Sequence, residues 1–173
     1  MSSQDVQRPV CIIGLGLIGG SLLRDLAATK HPVFGYNHST SGARIAVKQG
    51  FDVTDDLPAI LRRAEEDKAL IVIAVPMDAV ASVLDAIQEH APSCGFTDVV
   101  SVKAEIRQLV IERDMHPRYV GGHPMAGTSK SGWENSQTGL FHRAAWVITY
   151  DYAAECDARG ERIPLAVSYT HLT

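Results

Sequence analysis

Short apolar runs alternate with longer amphipathic stretches along the first 150 residues of the chain. The apolar runs are rich in β-branched residues and indicate buried strands, whereas apolar residues at helical spacing between them indicate helices. The predicted strands are residues 9–13, 33–36, 51–53, 69–75, 97–100, 118–120 and 144–149. Three predicted helices span residues 18–29, 78–89 and 104–113. A further helix is predicted to begin after an N-cap at Ser41 and to end at 48, and another to begin after Asp55 or Asp56 and to end at about 67.

Residues 69–75 form the most continuous apolar run. A run without polar alternation indicates a strand that is covered on both faces, as in the centre of a parallel sheet. Strands that alternate with helices imply βαβ units with right-handed crossovers. The sequence therefore predicts an α/β fold over residues 9–150, after a polar lead at 1–8. This fold is a doubly wound, mostly parallel sheet with helices on both faces.

Composition and charge narrow the functional class. The 173 residues carry a net charge of −4, which argues against a general nucleic-acid binder because such proteins need basic surfaces. No apolar run is long enough to cross a bilayer, and the polar start lacks the layout of a signal peptide. Cys11, Cys94 and Cys156 are an odd number without metal-ligand spacing, which fits a reducing cytoplasm. We expect a cytoplasmic protein with a small-molecule ligand, and no metal, membrane or nucleic-acid partner.

A glycine-rich turn follows the first predicted strand and opens the first predicted helix. It consists of Gly14, Leu15, Gly16, Leu17, Ile18 and Gly19, and matches G-x-G-x-x-G. In this context Gly14 permits a tight turn, Gly16 lets a pyrophosphate approach the backbone, and Gly19 lets the helix pack closely on the strand. The turn predicts a dinucleotide site in a Rossmann-like fold, with the phosphates at the helix N-terminus. The alternative is a turn that serves packing alone.

The end of the second predicted strand bears on which dinucleotide binds. An acidic residue about 20 positions beyond the glycine turn would bind the adenosine ribose and repel a 2′-phosphate. Here that region holds the neutral Asn37, the hydrogen-bond donors His38 and Ser39, and Arg44 further on. These residues favour NADP, or use of both NADP and NAD. A polar turn that caps the next helix explains the same serines without a ligand.

Candidate site residues follow three more strands at the carboxyl edge of the sheet, where open α/β sheets bind ligands. Val75 and Pro76 are predicted to form a wall beside the cofactor, although a proline that only ends the strand fits equally. Ser101 follows the next strand, and His123 lies in the glycine-rich segment 121–127. A histidine can accept a proton near neutral pH, and a serine hydroxyl can orient it or hold a substrate oxygen. The alternative for His123 is a histidine that is satisfied within a loop.

Three segments together resemble the prephenate/arogenate dehydrogenase family. They are the glycine turn continued through Ser21, residues 98–103 with Ser101-Val102-Lys103, and residues 121–128, which read Gly-Gly-His-Pro-Met-Ala-Gly-Thr. The resemblance runs from about residue 9 to residue 149, and the His-Pro-Met-Ala-Gly block is far more specific than the glycine turn. It implies an N-terminal nucleotide-binding domain with NADP or NAD as cofactor.

The resemblance also implies a reaction. This is oxidative decarboxylation of prephenate or arogenate to 4-hydroxyphenylpyruvate or tyrosine, with hydride transfer to NAD(P), in tyrosine biosynthesis. The family's catalytic histidine corresponds to His123, which would accept the proton of the substrate hydroxyl, and its serine near the nicotinamide corresponds to Ser101. Thr128 falls in the loop that meets the substrate. Ser129 stands where some members carry an acidic residue, so the role of that carboxylate is not transferred.

Members of the family carry a second, helical domain that dimerises and supplies basic groups for the substrate carboxylates. Residues 151–163 are expected to begin the connection to it, and the chain then lacks the domain itself. Residues 164–173 have no clear period and are expected to be a non-native tail, the alternative being a natural frayed terminus. We expect the chain to bind cofactor with little or no activity alone, and the full-length protein to be a homodimer.

Two other functions fit parts of the sequence. A dehydrogenase of the hydroxy-acid or imine reductase type would share the nucleotide domain, but would need a lysine in its second domain or another serine or threonine pattern. The His-Pro-Met-Ala-Gly block speaks against that type. A non-enzymatic nucleotide-sensing module would keep the glycine turn and would not need His123.

Overall fold

The computed structural model of the protein describes residues 7–127, 130–149 and, for the backbone only, 167–171. The strands are β1 Val10–Ile13, β2 Val33–Tyr36, β3 Val53–Thr54, β4 Leu70–Ile73, β5 Phe96–Asp98, β6 Tyr119–Pro124, β7 Ala145–Thr149 and β8 Val167–His171. The helices are α1 Leu17–Ala28, α2 Thr40–Lys48, α3 Leu57–Glu66, α4 Met77–His90 and α5 Lys103–Glu112, with 3₁₀ turns at His116–Arg118 and Trp133–Asn135. Each strand and helix that the sequence predicts is therefore present, with shifted ends.

The strands form one sheet in the order β3-β2-β1-β4-β5-β6-β7-β8. Strands β1 to β6 pair in parallel, whereas β7 pairs antiparallel with both β6 and β8. The chain runs outward from β1 to β3 and then returns to β4 beside β1, so the strand order reverses there. This confirms the Rossmann-like, doubly wound and mostly parallel fold, and it opens a crevice at the carboxyl ends of β1 and β4.

Strand β4 is covered on both faces. Ile71 and Ile73 belong to a core cluster that includes Leu84 of α4, whereas Val72 belongs to a second cluster with Leu23 of α1. Successive side chains of a strand point to opposite faces, so the two clusters lie on opposite sides of the sheet. Burial of both faces explains why residues 69–75 show no polar alternation.

The helix caps agree with the sequence for α3 and differ for α2. Asp56 caps α3, because its carboxylate accepts the N–H of Ala59 at 2.9 Å. The predicted Ser41 cap of α2 is wrong, because Ser39 Oγ accepts the N–H of Gly42 at 3.2 Å. Ser39 has the extended backbone that an N-cap needs, whereas Ser41 already lies in the first turn of the helix.

Strand β6 is longer than predicted and carries His123. The sequence predicts a strand at 118–120 with His123 after its end, whereas in the structure His123 lies within the strand. Tyr119 and Val120 pair with β5, and residues 121–124 continue the strand because β7 returns antiparallel beside them. In this ladder His123 lies opposite Val147. The continuation depends on a partner about 25 residues away in the chain, which a local pattern does not reveal.

The tail also contributes backbone to the sheet. No strand was expected within residues 164–173, yet Val167–His171 pairs with Ala145–Thr149 as β8. An outer strand offers unpaired N–H and C=O groups to any extended segment, so this pairing needs no specific side-chain pattern. That the tail is non-native stays a prediction. Within the described residues, no helix is both long and apolar enough to cross a membrane.

Candidate nucleotide-binding site

A cavity of about 850 Å³ lies at the crevice where the strand order reverses. Its walls come from the glycine turn, the segments that follow β2, β4 and β5, and residues 130–134. Among the residues that the sequence predicts for cofactor binding, those that line it are Gly14, Leu15, Gly16, Leu17, Ile18, Asn37, His38, Ser39, Val75, Pro76 and Ser101. The size and position suit a dinucleotide.

The three glycines of the turn occupy different environments. Gly14 has a φ of +100°, and a Cβ there would lie 2.6 Å from the carbonyl oxygen of Ala74. A Cβ on Gly19 would overlap the Gly14 carbonyl oxygen, so Gly19 lets α1 pack against the turn rather than lining the cavity. A Cβ on Gly16 would meet nothing closer than the nitrogen of Gly132, at 4.0 Å, and would take up cavity space. These environments match the requirements of the G-x-G-x-x-G pattern.

The first turn of α1 presents backbone donors to the cavity. Its N-cap is Gly16, which has no side-chain oxygen to accept from the N–H groups that a helix leaves unpaired at its start. Leu17 and Ile18 of that turn line the cavity. Unpaired N–H groups and the positive end of the helix dipole attract anions, so this end of the cavity fits a diphosphate.

The polar turn after β2 is held by its own side chains. Asn37 is buried, and its Oδ1 accepts the N–H of Ser39 at 3.1 Å. The Ser39 hydroxyl caps α2 and lies 2.9 Å from the Ser41 hydroxyl. His38 is exposed and lines the cavity. The turn therefore serves the helix cap, as the alternative interpretation expects, and it also presents His38 and two hydroxyls to the cavity.

Arg44 is not part of this cavity. It is exposed and lines a separate cavity of about 390 Å³ with Lys48 and Asp55. The residue of α2 that reaches the main cavity one turn after Ser41 is Ile45. Because successive helical residues are rotated by about 100°, Arg44 points to a different side from Ile45.

The structure brings Ser101 into the cavity and His123 beside it. Ser101 is exposed at the cavity between β5 and α5. His123 is half-buried on β6, and its Nδ1 lies 3.3 Å from the carbonyl oxygen of Val99, a residue of the cavity wall. A carbonyl oxygen can only accept, so this hydrogen bond requires the proton on Nδ1 and leaves Nε2 free to accept another. Thr128, the third predicted substrate residue, lies outside the described residues.

A charge cluster around the buried Asp98 contacts the backbone next to these two residues. Asp98 is fully buried, forms an ion pair with Lys103, and accepts from the Tyr119 hydroxyl at 2.7 Å. Its carboxylate also accepts the backbone N–H groups of Val100 at 2.8 Å and Gly122 at 3.3 Å. Burial lowers the pKa of the Lys103 ammonium, and the Asp98 carboxylate opposes that shift. The sequence interpretation gave this pair no role, although an acidic residue that ends an apolar strand was an available signal.

Residues 130–139, here called the strap, cross from the cavity to α1. Trp133 is 2% exposed and packs in the core cluster that contains Leu23. The strap is tied to α1 by hydrogen bonds from Gln137 N to Ser21 Oγ at 3.0 Å and from Gly139 N to Asp25 Oδ1 at 2.7 Å. The first five residues of the strap form one wall of the cavity, a contribution that the sequence did not indicate.

Residues 20–158 match the family model described as the nucleotide-binding domain of prephenate dehydrogenase. The chain belongs to the prephenate dehydrogenase family. The match covers most of the fold, including Ser101 and His123, and begins at the last residue of the Gly19-Gly20 pair. The glycine turn itself is therefore supported by its geometry and by its place between β1 and α1.

Proteins of known name or structure are similar to this chain. The prephenate dehydrogenase of Lactococcus lactis is 32% identical over 146 residues, which are 82% of this chain and 41% of that protein. A crystal structure of a candidate prephenate dehydrogenase from Corynebacterium glutamicum is 61% identical, with a TM-score of 0.85 over 88% of this chain and 48% of the other. The structure of Synechocystis arogenate dehydrogenase is 28% identical, with a TM-score of 0.68 over 85% and 52% of the two chains. The chain thus spans about half the length of these relatives or less.

In the part of the chain that the structure describes, three or more His, Cys, Asp or Glu side chains never gather in a way that could hold a metal ion. Cys11 and Cys94 are buried free thiols, and burial raises the pKa of each. Both belong to the same core cluster, so we assign them to packing.

Proposed function

We propose that this chain is the nucleotide-binding domain of an enzyme that oxidatively decarboxylates prephenate or arogenate in tyrosine biosynthesis. The observation that best supports the proposal is the contact of His123 Nδ1 with the Val99 carbonyl oxygen, beside a cavity that the glycine turn lines. This contact leaves Nε2 as a proton acceptor close to the cavity wall. Membership of the family supports the same reaction.

NADP or NAD would be the hydride acceptor when bound, and the chain's own residues would hold it. The glycine turn and the first turn of α1 would bind the diphosphate. The turn from Asn37 to Ser39 would contact the adenosine ribose, and Val75 with Pro76 would form a wall. A neutral Asn37 beside His38 favours NADP slightly over NAD, because it would not repel a 2′-phosphate. Arg44, which faces another cavity, adds nothing to this preference.

His123 would manage the proton of the reaction. Its Nε2 would accept the proton of the substrate 4-hydroxyl as the carbon that bears this hydroxyl gives up its hydride to NADP or NAD. The bond to the ring carboxylate then breaks, its electron pair makes the ring aromatic, and carbon dioxide leaves. The phenolate oxygen takes the proton back, so the imidazole ends in its starting state. Ser101, exposed at the cavity, would hold the substrate oxygen or the nicotinamide edge in place, and Thr128 would meet the substrate.

We also propose that the complete enzyme needs a second, helical domain. The chain spans 41% of the Lactococcus lactis enzyme, so groups that bind the substrate carboxylates would come from elsewhere. That domain would also form a homodimer. The present chain would then bind nucleotide and show little or no turnover alone.

Replacement of His123 by Asn in the two-domain enzyme tests the proton transfer. We expect kcat to fall by about 10²–10⁴-fold, because a general base contributes that much, while affinity of the 173-residue chain for the nucleotide is unchanged. The matched control is His142→Asn, since His142 is exposed on the surface. Activity that persists in the His123 variant would show that the proton acceptor is another group.

A further inference from the structure

We propose that the ion pair between the buried Asp98 and the partly buried Lys103 positions Ser101 and His123 relative to each other. The role rests on the function proposed above, because it concerns the same two residues. On the serine side, Asp98 accepts the N–H of Val100, the residue before Ser101, at 2.8 Å. Lys103 begins α5 two residues after Ser101, so the ion pair closes the chain into a loop around the serine.

On the histidine side, the ion pair holds both backbone polar groups of Gly122, the residue before His123. The Gly122 N–H donates to Asp98 Oδ1 at 3.3 Å, and the Lys103 ammonium donates to the Gly122 carbonyl oxygen at 2.6 Å. A residue that is fixed at both groups can tilt little, so the next side chain keeps its direction.

The acceptor for the imidazole is fixed by the same carboxylate. His123 Nδ1 contacts the carbonyl oxygen of Val99, and Val99 lies between Asp98 and Val100. The bond from Val100 N to the Asp98 carboxylate closes a tight turn around Val99. The ion pair therefore holds the backbone before His123 and also the group that sets its tautomer.

The stability of the fold does not by itself explain why an ion pair occupies this position. Loss of hydration offsets most of the attraction between buried charges, and apolar side chains of similar volume often stabilise a fold as well or better. The close approach of β6 to β5 at Gly122 depends on glycine, because a Cβ there would lie 2.8 Å from the Asp98 carbonyl oxygen and 3.0 Å from Trp146 Nε1. Apolar replacements would fill the volume but could not hold the backbone groups of Val100 and Gly122.

The double variant Asp98→Asn with Lys103→Met tests the proposal, because it removes both charges and leaves no unpaired ion. In the 173-residue chain, ¹H–¹⁵N NMR of the imidazoles reports which nitrogen of His123 carries the proton. We expect the Nδ1 tautomer in the unaltered chain and a mixture of tautomers in the variant, with nucleotide affinity within about twofold. The control is Lys48→Met, at an exposed lysine of α2. A variant that folds and keeps the Nδ1 tautomer overturns the proposal.

Kinetics of the two-domain enzyme give a second readout. We expect the double variant to lose about 10–100-fold in kcat with little change in the cofactor KM, since misplacement by a fraction of an ångström slows the chemical step. Lys103→Arg, which keeps the charge and the donors, should retain most of the activity. If His123→Asn abolishes turnover and the double variant does not, positioning by the ion pair is wrong while the proposed function stands. If His123→Asn is active, the proposed function itself fails.

A milder variant covers the case in which the double variant does not fold. Tyr119→Phe removes one hydroxyl donor to Asp98 and leaves the ion pair in place. We expect partial loss of the His123 tautomer preference in this variant. An unchanged tautomer in Tyr119→Phe, together with a normal tautomer in any folded charge variant, contradicts the proposal.

Discussion

The guanidinium carbon of Arg24 lies 4.2 Å from the ring centroid of Trp133. The same guanidinium donates to Ser136 Oγ at 2.8 Å and to Gln49 Oε1 at 2.9 Å, and Trp133 Nε1 donates to that amide oxygen at 3.2 Å. Phe51 packs edge-on against the Trp133 ring, with centroids 5.3 Å apart. Arg24 of α1 thus fixes the strap, and the strap forms a wall of the nucleotide cavity.

Replacement of Arg24 by Met should therefore weaken both the fold and the site. We expect the free energy of unfolding to fall by about 1–2 kcal/mol, since a partly buried cation–π contact and two hydrogen bonds are lost. Nucleotide affinity should fall several-fold because the strap moves away from the glycine turn. Urea denaturation and titration of Trp fluorescence measure the two effects, with the exposed Arg62→Met as the control. Unchanged affinity would mean that the strap takes no part in the site.

Gly16 and Gly19 should respond differently to the same added methyl group. Gly16→Ala has room in the fold but would occupy the cavity, so stability should be nearly unchanged while nucleotide affinity falls by about tenfold or more. Thermal unfolding and calorimetric titration of the same preparation separate the two quantities. Normal affinity in a folded Gly16→Ala protein would place the diphosphate elsewhere.

Gly19→Ala should damage the fold itself. Its Cβ would overlap the Gly14 carbonyl oxygen and approach Ala74 Cβ at 2.9 Å. The expected loss is about 1–3 kcal/mol in the free energy of unfolding, as for other overpacked sites. Gly95→Ala is the matched control, since the nearest atom to that Cβ would be 3.7 Å away. A Gly19→Ala chain as stable as this control would contradict the packing role.

Asn37 should control the choice between NADP and NAD. Asn37→Asp keeps the oxygen that accepts from Ser39 N but adds a negative charge near the ribose site. We expect the NADP to NAD affinity ratio to fall by about tenfold or more, because a carboxylate repels the 2′-phosphate and accepts from the ribose hydroxyls. The affinities of both nucleotides are measured on the same sample. An unfolded fraction would then lower both apparent affinities equally and leave their ratio unchanged. A constant ratio would move the adenosine away from this turn.

Cys94 should make stability depend on pH under alkaline conditions. Burial raises the pKa of the Cys94 thiol to about 11, and the neighbouring Glu65 carboxylate adds to the rise. The unfolded thiol ionises at its ordinary value of about 8.5. Between these values the unfolded chain releases a proton that the native chain keeps, so the free energy of unfolding falls as pH rises. Denaturation from pH 8 to 11 should show a smaller decrease for Cys94→Ala, and equal slopes would contradict the burial of an un-ionised thiol.

Elements with a local cause were predictable from the sequence. The apolar run at 69–75 marks a strand because burial on both faces excludes polar residues. Asp56 and Pro58 mark the start of α3 because cap and first-turn chemistry is local. Predictions failed where the cause is distant or shared. Residues 121–124 form a strand because β7 pairs with them. Ser39 rather than Ser41 caps α2, in a turn where Asn37 Oδ1 accepts the Ser39 N–H.

The candidate site likewise has parts that were predictable from the sequence and parts that were not. The glycine turn was predictable because each glycine has a steric reason that is local to β1 and α1. Trp133 is buried in the core, but its role in forming a cavity wall depends on contacts with Arg24 and Gln49, which lie far away in the chain. The Asp98–Lys103 pair was missed because a charge five residues from its partner is ordinary in any helix start. Only the fold shows that Asp98 is fully buried and that Lys103 is partly buried against it.

Strand β6 changes partner halfway along its length. Tyr119 and Val120 are hydrogen-bonded to β5, whereas the stretch with His123 is bonded to β7. Every residue that lines the cavity precedes β7 in the chain, whereas residues 121–124 have their antiparallel partner only once β7 has been synthesised. A chain that ends before β7 would keep every residue that lines the cavity and would lose the antiparallel partner of the segment that carries His123.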